Sequence, residues 1–235
     1  MGQDKVNYQG GDYRINRKYF SLVLPYLNNK SRVLNLGSGI SFILENKIVQ
    51  LYPQASVTSV DILDCKRIPP KVKYLKKSIE KPILFEEKFN VVTFFELIEH
   101  IDKTDSLLKN CAKNLKKNGI LVFSFPNLSS LYCRVELLLG YQPYVLEISN
   151  ETNYLGLSPL GKMNAGTKPP GCRFKEGSIH HIRGITTRAM QDLVEFHGFK
   201  VIKKFGYSNK NFIPINIFRF TTSLAPVNVF ICKKI

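Results

Sequence analysis

Val33-Leu34-Asn35-Leu36-Gly37-Ser38-Gly39 is an apolar run that ends in two glycines one residue apart. Twenty-two residues after Gly39, a second run, Ser56-Val57-Thr58-Ser59-Val60, ends in Asp61. Between them lies a segment with helical spacing. Glycine permits φ > 0 and leaves the main chain open to a ligand, and the helix start offers unpaired N–H groups. A carboxylate about 20 residues further on can take two hydrogen bonds from a ribose diol. The pattern predicts a nucleoside-containing cofactor across the edge of a parallel sheet. It is not a dinucleotide, because the third glycine of that fingerprint is replaced by Phe42. No Gly-Lys-Ser/Thr phosphate loop occurs either. A cofactor without phosphates fits better.

A second stretch narrows the reading. Phe89-Asn90-Val91-Val92-Thr93-Phe94-Phe95-Glu96-Leu97-Ile98-Glu99-His100-Ile101 reads as a buried strand leading into an acidic loop. With the glycine turn and Asp61 it resembles the class I S-adenosylmethionine-dependent methyltransferases. The resemblance continues through Gly119-Ile120-Leu121-Val122-Phe123-Ser124-Phe125-Pro126-Asn127, His181-Ile182-Arg183-Gly184-Ile185-Thr186 and a helix from Thr187 to His197, covering about residues 30–207. It implies an α/β fold: a Rossmann-like, doubly wound, mostly parallel seven-stranded sheet with helices on both faces and a lid insertion after strand five.

The pattern along the chain agrees, with strands alternating with helices. A helix is expected over Asp12 to Asn28, then strand one (Arg32 to Leu36) and a helix over Phe42 to Tyr52. Strand two ends at Asp61, strand three is Val72 to Leu75, and strand four is Asn90 to Phe95. A helix over Ser106 to Lys116, strand five (Ile120 to Phe125) and a helix over Leu128 to Leu139 follow. After the helix that closes at His197 come strand six (Lys200 to Tyr207) and a last strand (Val227 to Lys233). Residues 140–180 gather Gly and Pro, which marks irregular backbone. They are expected to form a substrate-recognition insertion, with Tyr141, Tyr144, Tyr154 and Phe174 ordering on substrate. A chain of 235 residues suits one such domain, 1–235, with residues 1–30 as an N-terminal helical segment.

No basic-then-apolar leader opens the chain and no apolar run is long enough to span a bilayer, so a cytoplasmic protein is expected. The five cysteines are scattered without a Cys-x-x-Cys pair, which argues for reduced thiols acting as small hydrophobes.

Position by position, the resemblance implies that Gly37, Ser38 and Gly39 pass beneath the methionine part of S-adenosylmethionine. Asp61 binds the ribose and Ile62 packs on adenine. Ser78 and Ile79 face the adenine amino group, and Phe95 and Glu96 line the wall near the sulfonium. Asn35 stands where the family has an acidic residue and Ser78 where it has Asp. Both departures weaken expected binding, and they keep open a scaffold that has lost catalysis.

Methyl transfer from a sulfonium needs alignment and exclusion of water more than acid–base help. An oxygen acceptor also needs its proton removed. The candidate catalytic residues are His100, Glu96 and His181, with His100 as base, whereas His197 is expected to cap a helix end. Glu96, Glu99, His100 and His181 resemble the metal-using ubiquinone-pathway O-methyltransferases and the enzymes that methylate the terminal 2′-hydroxyl of small RNAs. Relatives without metal share the same Glu-x-x-Glu-His string, so the presence of a divalent ion stays open. The asparagine-proline-proline-aromatic signature of nucleobase amino methylation is replaced by Phe94-Phe95-Glu96-Leu97, which favours oxygen.

The formal net charge is +16 and uneven: no acidic residue follows Glu195, and Lys66, Arg67, Lys71, Lys73, Lys76, Lys77 and Lys81 cluster. Such a surface suits RNA, anionic sugars or anionic lipid; the alternative is a general lysine-rich bias, which the excess of Lys over Arg supports. The stretches Pro126 to Arg134 and Leu138 to Pro143 resemble methyltransferases of saccharide or lipid-linked pathways. The leading expectation is O-methylation of a small or sugar-containing metabolite, and the alternative is an RNA 2′-O-methyltransferase.

Overall fold

The computed structural model describes residues 19–152, 154–164, 180–208 and 221–235. Seven strands form one sheet: β1 (Arg32–Leu36), β2 (Ser56–Asp61), β3 (Val72–Lys76), β4 (Phe89–Phe95), β5 (Leu115–Pro126), β6 (Phe199–Tyr207) and β7 (Val227–Lys234). Their order is β3-β2-β1-β4-β5-β7-β6. The first five run parallel, and β7 is antiparallel to both β5 and β6. The order reverses between β1 and β4. Open α/β sheets bind ligands at such a switch point, beyond the carboxyl ends of the strands.

Strands buried on both faces read as continuous apolar runs, and alternate residues go to opposite faces. Leu34, Leu36, Val92, Phe94, Leu121, Phe123 and Phe125 join one core with helices α3 (Thr104–Asn114) and α6 (Thr187–Phe196). Val33, Val91, Val122 and Val229 join the other, under α2 (Ile43–Leu51) and the leading helix α1, described over residues 19–23. Fully buried Phe94, Phe123 and Phe230 each contribute about 1.5–3 kcal/mol of apolar burial.

Several boundaries differ from expectation, each for a local reason. Residues 12–18 of the leading helix lie outside the described residues; its described part gives way to a 3₁₀ turn at Leu24–Tyr26, where Pro25 enters. Helix α3 begins two residues before the expected Ser106, because the Glu80 carboxylate accepts the N–H groups of Asp102 (2.6 Å) and Lys103 (3.2 Å). It stops at Asn114 because Leu115 already pairs with Phe89. Strand β5 therefore starts five residues earlier than expected, with an irregularity that Asn118 absorbs at φ +61°. Helix α4 (Leu131–Leu138) starts after Ser130, whose hydroxyl caps it by accepting from Cys133 N–H.

The insertion is not wholly irregular. It carries helix α5 (Pro159–Asn164), tied down by the buried Glu136 carboxylate of α4. Glu136 accepts from Ser158 Oγ (2.9 Å) and Tyr144 N–H (3.2 Å). Residues 165–179, with Phe174 and Cys172, lie outside the described residues. Cys111, Cys133 and Cys232 are buried and Cys65 is half-buried, as small hydrophobes would be. Among the described residues, no helix is long and apolar enough to cross a membrane.

Candidate functional site

Beyond the carboxyl ends of β1, β2 and β4 lies a cavity of about 350 Å³. Asn35, Gly37, Ser38, Gly39, Asp61, Ile62, Ser78, Ile79, Phe95 and Glu96, the ten residues that the sequence assigns to a cofactor, all line it. They come from four stretches of chain because the parallel strands end side by side. Gly37 N–H donates to Val60 C=O at 2.8 Å, which stitches the glycine turn to β2.

The two glycines differ in purpose. Both have positive φ, +67° at Gly37 and +62° at Gly39. A Cβ on Gly37 would lie 2.6 Å from Leu97 Cδ1, whereas one on Gly39 would meet nothing within 4 Å. Gly37 is favoured by its positive φ, and a Cβ there would also displace the tip of the Leu97 side chain. Gly39 leaves open space beside the cavity.

Asp61 is oriented before any ligand arrives. Gly39 N–H donates to its Oδ2 at 2.8 Å and Leu63 N–H to its Oδ1 at 3.1 Å. Each oxygen keeps a lone pair for a hydroxyl. Next to it Ile62 is a large apolar side chain left 54% exposed at the cavity wall. Asn35 is already engaged: its amide donates to Glu45 Oε1 (2.7 Å) and its carbonyl accepts from Thr93 Oγ1 (2.8 Å).

Glu96 follows β4 in the left-handed region, at φ +48°. Such backbone costs a non-glycine residue about 1–3 kcal/mol and clusters at ligand sites. Its Oε1 accepts from Ser124 Oγ (2.6 Å) and from the Tyr19 hydroxyl (3.2 Å). Burial raises the Glu96 carboxyl above its ordinary value. The Tyr19 ring stacks on Phe95 with centroids 4.3 Å apart. Tyr19 also lines the cavity, a placement the sequence did not disclose: in a helix of Tyr, Phe, Val and Leu it looked like core packing.

The cavity is acidic in a basic chain. Its charged lining residues are Glu45, Asp61, Glu80, Glu96 and Lys77, four carboxylates against one ammonium, where the chain as a whole carries +16. Oppositely signed lining of this kind concentrates a cationic ligand.

One wall of the cavity is His100, and behind it lies a second cluster. Glu99, His100 and His181 bring one ligand atom each to within 4.8 Å of one another. Glu99 is 1% exposed and neither of its carboxylate oxygens has a hydrogen-bond partner. Burial first, and the nearby Glu96 charge second, push its carboxyl well up. His100 Nδ1 bonds His180 C=O at 2.8 Å and His181 Nδ1 bonds Val145 C=O at 3.1 Å. Both rings are thereby fixed with Nδ1 protonated and the Nε2 lone pair available. Burial, then the His181 ring, lower His100 to about 4, and burial lowers His181 too. Two imidazoles held through Nδ1 and a buried carboxyl without a hydrogen-bond partner form a set of donors of the kind that can ligate a divalent cation. Glu96 is not part of this trio; its Oε1 accepts from Ser124 and Tyr19. His181 does not line the cavity; the insertion holds it there, since Glu147 accepts its N–H at 2.7 Å.

His197 is elsewhere. It is the C-cap residue of α6, and its ring reaches Asp105 at the start of α3, at 2.8 Å, so it has no place in the site.

Comparison with known proteins accords with this layout. A family model described as "Methyltransferase domain" matches residues 8–204. The chain is 30% identical over 112 residues to a ubiquinone biosynthesis O-methyltransferase of Histophilus somni, covering 42% of this chain and 46% of that one. It is 26% identical over 162 residues to the protein of that name in Rickettsia canadensis, covering 63% and 65%. The chain thus spans about half the length of the first of these curated relatives. Among solved structures, an S-adenosylmethionine-dependent methyltransferase of Mesorhizobium loti superposes with a TM-score of 0.59 at 12% identity, covering 92% of this chain and 96% of that one. One from Clostridium acetobutylicum gives 0.57 at 14%, covering 98% and 95%. At such identities the likeness is one of fold.

Proposed function

The chain belongs to the methyltransferase domain family, and from that premise we propose that it transfers the methyl group of S-adenosylmethionine to a hydroxyl oxygen of a small acceptor. The observation that carries this reading is the position of His100. It lines the acidic cavity and also belongs to the Glu99–His100–His181 trio, so a donor site and a hydroxyl-activating site share a wall. The relatives named for O-methylation in ubiquinone biosynthesis support an oxygen acceptor.

In this reading Asp61 takes the ribose hydroxyls on its two backbone-anchored oxygens. Ile62 covers one face of the adenine, and Ser78 and Ile79 meet its edge. The open side of Gly39 admits the methionine portion against the turn. Phe95 and Tyr19, stacked on each other, screen the sulfonium from water while Glu96 faces it. In the transfer, the carbon–sulfur bond breaks as a carbon–oxygen bond forms. Sulfur keeps the electron pair, and the hydroxyl proton passes to solvent water. A divalent cation, when held by Glu99, His100 and His181, supplies Lewis acidity that makes an acceptor hydroxyl easier to ionise. His100 itself is a weak proton acceptor in its buried setting, which suits a ligand better than a base. The insertion closes this end, since Val145 and Glu147 fix His181.

The test is transfer from methyl-labelled S-adenosylmethionine to a panel of small hydroxylated aromatics, saccharides and short RNAs, with and without chelator. The reading expects label as a methyl ether on a small acceptor, lost on chelation. Label on an amine, or on RNA alone, would overturn the acceptor class. No turnover with any hydroxyl would favour a cofactor-binding scaffold.

A further inference from the structure

The cavity floor holds an anion that packing does not explain. Glu45, on the first turn of α2, is 1% exposed yet lines the cavity. Asn35 Nδ2 and Ser59 Oγ both donate to its Oε1, each at 2.7 Å. Thr93 Oγ1 donates in turn to Asn35 Oδ1 at 2.8 Å. The hydrogen bonds thus run from β4 through β1 to α2, and from β2 to α2, all pointing their protons toward Glu45. Burial raises the Glu45 carboxyl above its ordinary value, and the hydrogen bonds from Asn35 and Ser59 act against that by favouring the ionised form. Among the described residues no salt bridge reaches it. An ion buried without a counter-charge is costly, and an apolar or amide side chain of the same size would serve packing better.

A cationic occupant of the cavity accounts for it. We infer that Glu45 is the electrostatic positioning residue for the cationic cofactor, supplying from α2 the negative charge that Asn35 lacks at the end of β1. This rests on the reading of the cavity as an S-adenosylmethionine site. The charge is presented through the Asn35 amide, whose polarity is fixed by Thr93 on one side and Glu45 on the other. The consequence is selectivity for charge. S-adenosylmethionine carries a sulfonium, whereas S-adenosylhomocysteine, the product, has a neutral thioether and otherwise the same groups. Glu45 therefore favours donor over product.

The experiment is calorimetric titration of both ligands into the wild type, Glu45→Gln and the double variant Asn35→Asp/Glu45→Gln. Glu45→Gln keeps size and a hydrogen-bond acceptor but removes the charge. The double variant returns the charge to position 35, one hydrogen bond away, with the amide now on α2. Glu45→Gln is expected to weaken S-adenosylmethionine about tenfold and S-adenosylhomocysteine no more than about twofold, and the double variant to restore the wild-type ratio. Equal weakening of both ligands by Glu45→Gln would reduce Glu45 to a structural role and overturn the inference, as would a double variant that leaves the ratio collapsed. Should Glu45→Gln fail to fold, Glu45→Met, which replaces the charge by an apolar side chain of similar length, is titrated in its place and read by the same two outcomes. A wild type that binds neither ligand would instead overturn the cofactor reading itself, which is a separate result.

Discussion

Removing the Glu99 carboxyl should make the metal-free protein more stable. The side chain is 1% exposed, and both of its oxygens lack hydrogen-bond partners. An unsatisfied buried polar group costs about 1–3 kcal/mol. Glu99→Met keeps an unbranched side chain of similar length and eliminates that cost. Taking about 2 kcal/mol as the gain, the melting temperature of a domain this size should rise by about 4–8 °C in the presence of chelator. Adding a divalent cation should reverse the order. At a hundredfold excess over Kd, a ligand that binds only the folded state contributes about 2.7 kcal/mol, and only the wild type retains the trio. Scanning calorimetry of both proteins in chelator, then in magnesium, manganese and zinc, reads both halves of the prediction. A variant that melts below the wild type in chelator would refute the reasoning about the bare carboxylate. Equal metal-induced shifts in both proteins would refute the ligand role.

Asp61→Ala should lower cofactor affinity by roughly 1–3 kcal/mol by removing the acceptor for two ribose hydroxyls; titration calorimetry that shows unchanged affinity would take Asp61 out of the site. Gly37→Ala should cost folding stability by roughly 1–2 kcal/mol from left-handed strain, with a smaller addition as the Leu97 tip shifts. Gly39→Ala should cost only about 1 kcal/mol of stability, yet weaken cofactor binding, since its Cβ enters open space at the cavity; denaturant melts and titrations of the pair separate the two effects. The His197 ring, by bonding Asp105, holds that carboxyl below its ordinary value. A depressed folded-state pKa gives stability that is present above the unfolded value of about 3.9 and lost as pH falls through the folded one. His197→Gln should therefore lower stability by a constant amount from neutrality down to about pH 4, with a shallower fall below that, so that the two curves converge at the acid end.

That these residues would line one cavity was legible because the lining is set by local chain geometry. A glycine turn after an apolar strand, a carboxylate ending the next strand and an acidic turn after the fourth all occupy fixed places once five parallel strands lie side by side. Tyr19 could not be read in this way. It meets Glu96 across 77 residues, and helical spacing alone assigned it to the core. Glu45 was hidden for the opposite reason, as a charged residue on a helix with no local sign that it turns inward to Asn35. The early start of β5 escaped notice because Lys116, Lys117 and Asn118 look like the end of a helix and a turn, although they lie in a strand that begins with Leu115 opposite Phe89. His181 was placed beside His100 by resemblance. What fixes it there is the Val145 carbonyl and the Glu147 carboxylate from an insertion whose composition predicted only irregular backbone.

The measurement that bears most directly on the central claim is a crystal structure of the protein grown with excess S-adenosylhomocysteine. The account predicts the ligand over the Gly37-Ser38-Gly39 turn, both ribose hydroxyls on Asp61 and the adenine against Ile62. A ligand bound elsewhere, or a cavity that stays closed by side chains at saturating concentration, would contradict it.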